Sequence, residues 1–372
     1  MLEKGSVMSG KKVVVGLSGG VDSAVSAYLL KEQGYEVIGV FMKNWEDDED
    51  EEHCTSEEDA REARMVADAL GIPFYSFNFV KQYWDGVFKH FLEEYGQGYT
   101  PNPDILCNKE IKFKCFLEKA LELDVDYIAT GHYARVREHE GRFQLLKGVD
   151  PGKDQSYFLY TLGQRALSKA LFPLGDIHKS EVRDIARKQG LPNWDRKDST
   201  GICFIGERNF RDFLKGYLGT KPGDICDPDG RVVGRHEGLM FHTIGQRQGL
   251  GIGGPGAPWF VVGKDIQNRR LIAAQGKNHP LLFAPALNYV DVTTTSGEPL
   301  SLPLRCSAKI RYRQQDQPCT VQVTEGEGLV VFDEPQRAIA PRQSIVFYDG
   351  PVCLGGAVIS KALREEGVHS ST

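Results

Sequence analysis

The sequence predicts an α/β N-terminal domain on a parallel sheet, then a small central β-rich domain, then a C-terminal β-barrel. Residues 1–208 alternate apolar runs with amphipathic stretches, the rhythm of strands and helices packed in layers. From residue 209 the helical periodicity fades, and Gly, Pro and short β-rich runs such as GLMFHTIG and WFVVGKD take over. From residue 282 six strand-like runs follow: LNYVDVTTT, LRCSAKIRYR, CTVQVTE, GLVVFDE, QSIVFYDG and VCLGGAVIS. The expected domains are 1–208 (catalytic), 209–281 (central) and 282–372 (barrel).

Each element has a local reason. Lys12–Leu17 holds the run Val13-Val14-Val15 and predicts a strand. Asp22–Gln33 is amphipathic and stops at Gly34, predicting a helix. Glu36–Phe41 is the next strand. A helix starts at Ser56 with Asp59 three residues on, a pair placed like a capping box. Ala60, Ala63, Val66, Ala67 and Leu70 form its apolar face, and Gly71 and Pro73 end it. Phe74–Phe79 reads as a strand, Tyr83–Tyr95 and Lys109–Leu123 as helices, and Asp126–Thr130 as a strand ending in Gly131-His132. Ser180–Gln189 is a further helix, closed by Gly190 and Pro192.

Composition narrows the functional classes. The 372 residues are 41% hydrophobic and 26% charged, enough for two or three cores. No apolar run reaches the ~20 residues of a membrane helix, and MLEKGSVMSGKK lacks the apolar core of a secretory signal. A cytoplasmic protein without membrane contact is expected. The eight cysteines are scattered with no CxxC pair, which predicts reduced thiols and neither zinc nor an iron–sulfur cluster. The net charge is −6, but Glu46–Glu52 is an unbroken acidic run that exceeds the whole imbalance and predicts a solvated loop. The remainder is close to neutral, so RNA binding stays open.

Residues 16–24, GLSGGVDSA, follow a strand and open a helix. A helix N-terminus offers unsatisfied amides and a positive dipole end, and glycines let backbone approach a phosphate. Ser18 and Ser23 add hydroxyls. The turn is no Walker A loop, because no Lys follows the glycines. Gly5–Lys11 does fit G-x-x-x-x-G-K, but Lys12 stands where Ser or Thr is required and the segment precedes a strand. SGGVDS resembles the S-G-G-x-D-S PP-loop of the ATP pyrophosphatases. That resemblance implies that Gly16, Leu17, Ser18, Gly19, Gly20, Val21, Asp22 and Ser23 hold ATP with Mg2+. Asp22 fits either a magnesium-assisting role or a plain helix N-cap.

Two cysteine segments bear on the substrate. In PNPDILCNKEIKF an extended Pro-rich stretch leads through Asp104 and Cys107 into a helix bearing Lys109, Lys112 and Lys114. In RKDSTGICFIGERNF, Cys203 lies in a Gly-flanked loop near Arg196, Lys197 and Arg208. Both settings read as electropositive and loop-like, which favours thiolate. Cys306, Cys319 and Cys353 lie inside β-rich runs and read as small buried residues.

The motifs GLSGGVDS, FMKNW, NPDILCN, ATGHYAR, DQSYFL, DSTGICFIG, HTIGQRQGLGI and IRYRQ, in this order, resemble the bacterial tRNA 2-thiouridylases over about Lys12 to Ile359. The resemblance implies ATP-dependent 2-thiolation of the wobble uridine, position 34, in the tRNA anticodon arm. It implies Cys203 as persulfide carrier, Cys107 as the resolving nucleophile with a transient Cys107–Cys203 disulfide, and Asp104 as acid or base. Asn102 and Pro103 would shape the pocket for a flipped-out base. Met42 and Gly131 match nucleotide-pocket positions, with core filler the alternative for Met42. His132, Lys153, Asp154, Gln155 and Gln343 match positions toward the tRNA, although His132 could equally be structural. A persulfide-donating protein, a sulfur-relay protein or a cysteine desulfurase, is the implied partner, and the enzyme is expected to be a monomer.

Arg311 and Arg313 alternate with Tyr312 in IRYR, so a strand would put both arginines on one face. Arg–phosphate contacts and a stacking Tyr suit RNA. A charged, guarded strand edge is the alternative. A PP-loop ligase adenylating a small molecule would leave both cysteine segments and the β-rich half idle, and no glutaminase-like region is evident. A non-catalytic RNA binder would not need the complete SGGVDS.

Overall fold

The computed structural model describes residues 10–46, 55–198, 210–324 and 326–364. The acidic run beyond Glu46, Cys203 and the last eight residues lie outside them.

Five parallel strands form the first sheet, in the order β3 (Phe74–Asn78), β2 (Glu36–Lys43), β1 (Lys12–Gly16), β4 (Tyr127–Ala129), β7 (Ala170–Leu171). Val13, Val14 and Val15 are fully buried, as a central strand covered on both faces requires. Val14 faces one core with Met42, Cys107, Phe116 and Ile128. Val13 and Val15 face the other with Ala24, Val25, Val66 and Ala67. Those last four lie on α1 (Val21–Glu32) and α2 (Thr55–Leu70).

Two helices on the first face differ from expectation. Val80–Tyr83, Trp84–Phe88 and Lys89–Gly96 run on as one helix, α3, with a π-helical middle. Pro103–Leu106, Cys107–Cys115 and Phe116–Leu121 likewise make α4, whose π segment begins at Cys107. The sequence reading began α4 at Lys109 and left Pro103 extended. Instead Asn102 caps the helix, its Oδ1 accepting from the Asp104 amide at 3.0 Å, and Pro103 takes the first helical position, where its missing N–H costs nothing.

A central four-stranded sheet has the order β10 (Trp259–Asp265), β11 (Arg270–Gln275), β8 (Gly223–Cys226), β9 (Val232–His236). The C-terminal unit is a closed antiparallel barrel. Its strands are β12 (Phe283–Thr294), β13 (Leu304–Lys309), β14 (Gln317–Thr324), β15 (Glu327–Arg337), β16 (Ser344–Asp349) and β17 (Val352–Leu363), with β12 pairing both β15 and β17. Closure removes the open edges. A hairpin, β5 (Ala134–His139) and β6 (Arg142–Lys147), leaves the first sheet and joins the barrel through β6 and β17. Its turn puts Glu140 and Gly141 at positive φ. The sequence reading missed it, although AR-V-R-E-H-E-G-R-F-Q-L-L-K has a turn dipeptide at its centre.

Candidate active site at the carboxyl edge of the parallel sheet

Strand order reverses at β1/β4, and open α/β sheets bind ligands outside the carboxyl ends of strands at such a point. The glycine turn sits there. Gly20 is the extended N-cap of α1, with no side chain capping the first-turn amides. Ser23 Oγ accepts from the Ser18 amide at 3.2 Å and donates to the Gly20 carbonyl at 2.9 Å, which curls the loop into a concave cradle. Gly19 has φ +77°, and a Cβ there would lie 2.7 Å from the Arg196 guanidinium and 2.9 Å from the Asp59 carbonyl. Asn193 Nδ2 donates to the Gly19 carbonyl at 2.7 Å. Leu17 and Val21 turn their side chains into the core, so only their backbone can face a ligand.

Asp22 is the second residue of α1, not its N-cap. Its Oδ1 accepts from Tyr133 Oη at 2.8 Å and from Lys179 Nζ at 2.7 Å. Lys179 opens α5 (Lys179–Lys188), where a cation opposes the helix dipole. It also lies 2.8 Å from Asp198 Oδ1. Asp198 is further bonded by Lys153 at 2.7 Å and Arg183 at 2.6 Å. Burial pushes the Asp198 carboxyl up, but the Lys153 and Lys179 hydrogen bonds outweigh it and hold it well below the usual carboxylate range. Burial, then the Asp22 charge, pushes the Tyr133 phenol up.

Gly131 closes the other side. A Cβ there would meet the Ser23 amide nitrogen at 2.9 Å and Asp22 backbone carbon at 3.0 Å. Met42 is buried, and its Cε lies 3.0 Å from where a Gly16 Cβ would stand, so it lines the start of the loop. His132 is buried, its Nδ1 2.7 Å from Thr130 Oγ1. Burial, then Lys112, keeps its pKa well below the ordinary value.

The setting of Cys107 corrects the sequence reading. It is on a helix, fully buried in an apolar cluster. Lys109 and Lys114 lie toward Glu110 instead, Lys114 at 2.7 Å. Further along α4, Phe113 lies 6.0 Å from the His132 ring and Phe116 3.7 Å from the Gly16 Cβ position. Cys107 precedes Phe116 by nine residues, the length of the π-helical segment. Cys203 lies outside the described residues, five beyond Asp198.

The residues matched to tRNA contacts divide. Asp154 is buried, accepting from the Gly148 and Ser156 amides, both at 3.1 Å. Gln155 Oε1 accepts from the Tyr133 amide at 3.0 Å. These two face inward and hold the turn behind Tyr133. Residues 310–313 form a bend, not a strand, so the alternation read in IRYR does not hold. Arg311 Nη2 donates to the Ile244 and Ala338 carbonyls at 2.8 and 2.9 Å, clamping barrel to central sheet. Tyr312 packs on Phe158 at 4.5 Å between centroids and donates to the Lys153 carbonyl. Asn108 Nδ2 in turn donates to the Phe158 carbonyl at 3.1 Å. Gln343 Nε2 donates to the Thr100 carbonyl, two residues before Asn102. So Asn102–Cys107, Lys153, Tyr312 and Gln343 share one neighbourhood. Lys179, Tyr133 and Asn193 were missed; the sequence reading began the helix at Ser180 and so left Lys179, its first residue in the structure, outside it.

Among the described residues no group of three or more His, Cys, Asp or Glu could hold a metal, and no helix is long and apolar enough to cross a membrane. Residues 11–207 match a family model described as the tRNA methyl transferase HUP domain, 211–275 its PRC-barrel domain, and 282–359 an aminomethyltransferase beta-barrel domain. The tRNA-specific 2-thiouridylase MnmA of Francisella philomiragia is 58% identical over 95% of this chain and 100% of its own. That of Pseudomonas fluorescens strain SBW25 is 58% identical over 95% of both chains. With that identity along nearly its whole length, and the glycine cradle, α4 and the closed barrel in one architecture, the chain belongs to the tRNA-specific 2-thiouridylase family.

Proposed function

We propose that the chain thiolates uridine in tRNA, at C2 of the wobble base, position 34, using ATP. The observation that carries this is the cradle of Ser18, Gly19, Gly20 and Ser23 at the sheet's switch point, with Gly131 pressed against it. ATP supplies the leaving group. The cradle amides take its phosphates, Met42 and Gly131 flank the nucleotide, and Asp22 orients it. Mg2+ would come with the nucleotide, held by phosphate oxygens and a carboxylate such as Asp22.

The uracil C2 oxygen attacks the α-phosphorus and pyrophosphate leaves. The terminal sulfur of a Cys203 persulfide then attacks C2, and AMP departs with the oxygen. The Cys107 sulfur attacks Cys203 Sγ, the S–S bond to the base breaks, and a Cys107–Cys203 disulfide forms while C2 keeps its sulfur. A dithiol reductant restores both cysteines. Asp104, capped at the start of α4, moves the proton at the base, and Asn102 and Pro103 shape its pocket. Lys153, Tyr312 and Gln343 border the same neighbourhood, and His132 lies against Phe113 further along α4. Arg311, Asp154 and Gln155 act by holding it.

The test is a sulfur-transfer assay with ATP, unmodified tRNA and a persulfide donor, scoring thiouridine and AMP. Wild type makes both, Asp22→Ala loses AMP, and Cys203→Ser makes AMP without thiouridine. Full thiolation by Cys203→Ser would remove it as carrier. No tRNA-dependent AMP would overturn the assignment.

A further inference from the structure

Cys306 and Cys319 stand directly opposite each other on β13 and β14, and their sulfurs are 3.9 Å apart. Cys319 is fully buried in the barrel core, and Cys306 packs against the same cluster while keeping some solvent exposure. Directly opposed residues of an antiparallel pair carry their Cβ atoms about 4.5–5.5 Å apart, and a disulfide needs roughly 3.8 Å. A small approach of the two strands therefore closes the bond. Between the two cysteines runs the bend Ile310–Asp316, which presents Arg311 and Tyr312.

We propose that Cys306 and Cys319 form a reversible oxidation site, which takes a hydroperoxide and staples the base of the bend that carries Arg311 and Tyr312. Cys306 is the attacking sulfur, because it alone of the two reaches solvent. The hydrogen bond from the Cys319 thiol lowers its pKa against the effect of burial, and Arg305 assists. The same hydrogen bond and burial push the Cys319 thiol up, so it keeps its proton. The Cys306 thiolate attacks the peroxide oxygen; an S–O bond forms, the O–O bond breaks, and the leaving hydroxide or alkoxide takes up the proton that the Cys306 thiol released on ionising. Cys319 then displaces the hydroxyl of the sulfenic acid; the S–S bond forms, the S–O bond breaks, and water leaves with the thiol proton. Two thiols lose two electrons and the hydroperoxide gains them. Exchange with a small thiol reverses the bond.

The test uses the full reduced chain, treated with hydrogen peroxide, capped with N-ethylmaleimide in denaturant and digested by trypsin without reductant. Lys309, Arg311 and Arg313 separate the two cysteines into different peptides. The expected product is one linked pair, lighter than its parts by two hydrogens and separated by glutathione. In Cys319→Ser the Cys306 sulfenic acid persists and is trapped by dimedone. Cys353, buried and pushed up to about 12, stays a thiol and serves as the internal reference. Maleimide on both Cys306 and Cys319, or sulfinic acid at Cys306 without a linked pair, overturns the proposal.

Discussion

Lys179 Nζ lies 2.7 Å from Asp22 Oδ1, joining the first turn of α1 to the first residue of α5. The same ammonium reaches Asp198, so one cation holds two carboxylates beside the glycine cradle. Lys179→Met relieves the dipole of α5 but leaves the two carboxylates facing each other without the shared cation, and the second effect is the larger. The change should cost about 1–3 kcal/mol, seen as a Tm lower by several degrees, and reduce AMP formation at least tenfold. A variant with wild-type Tm and AMP yield would show that the bridge does not matter.

Gly131 and Gly216 should respond to alanine with opposite signs. At Gly131 the new methyl meets α1 backbone, which cannot step aside. Gly131→Ala should destabilise by about 1–3 kcal/mol and raise the KM for ATP by a factor of ten or more. Gly216 is within α6 (Phe210–Leu218) and a Cβ there meets nothing within 4 Å. Gly216→Ala should raise stability by about 0.5–1 kcal/mol through helix propensity. Thermal melts and ATP titrations of the two variants decide it.

Burial makes Cys107 a slow thiol. In the free protein, maleimide labelling of Cys107 should lag behind that of partly exposed Cys115, and urea should equalise them. If Cys107 resolves a Cys203 persulfide, unmodified tRNA must expose it, and labelling should then accelerate at least tenfold. Rapid labelling without tRNA would refute the burial, and no acceleration with tRNA would count against the resolving role.

His242 predicts acid sensitivity. Burial, then His236, Arg211 and Lys264, lowers its pKa to about 4, and burial lowers His236 as well. An unfolded histidine binds its proton near 6.5. Between pH 6.5 and 4 the unfolded chain therefore binds more protons, and stability falls as pH falls. The contribution lost by pH 5 is up to about 2 kcal/mol. Tm should be steady from this source above pH 7 and decline below 6.5. His242→Phe should flatten the decline; an unchanged slope would assign it elsewhere.

The parallel sheet and cradle were legible because each rests on local rules: an apolar strand, glycines at the turn, and helix stops at Gly34 and Gly71. The barrel strands were legible through their alternation. The setting of Cys107 was not, because neighbouring lysines in sequence say nothing about which side of a helix enters the core. Arg311 failed differently. A basic residue in a strand-like run reads as a surface charge, yet its donors satisfy a carbonyl of another domain, 67 residues away in sequence, and one of its own domain, 27 residues away. Lys179 was not legible, because the sequence reading started its helix one residue later, at Ser180.

The hairpin Ala134–Lys147 belongs by chain order to the first domain and by hydrogen bonding to the barrel. Val352 pairs with Leu146 and Cys353 with Leu145. The barrel is therefore not an interchangeable module. A chimera that imports residues 282–372 from a relative without its hairpin would mismatch a sheet seam, whereas one that imports both would carry the seam intact. Recombination between relatives should succeed at breakpoints that keep hairpin and barrel from the same parent.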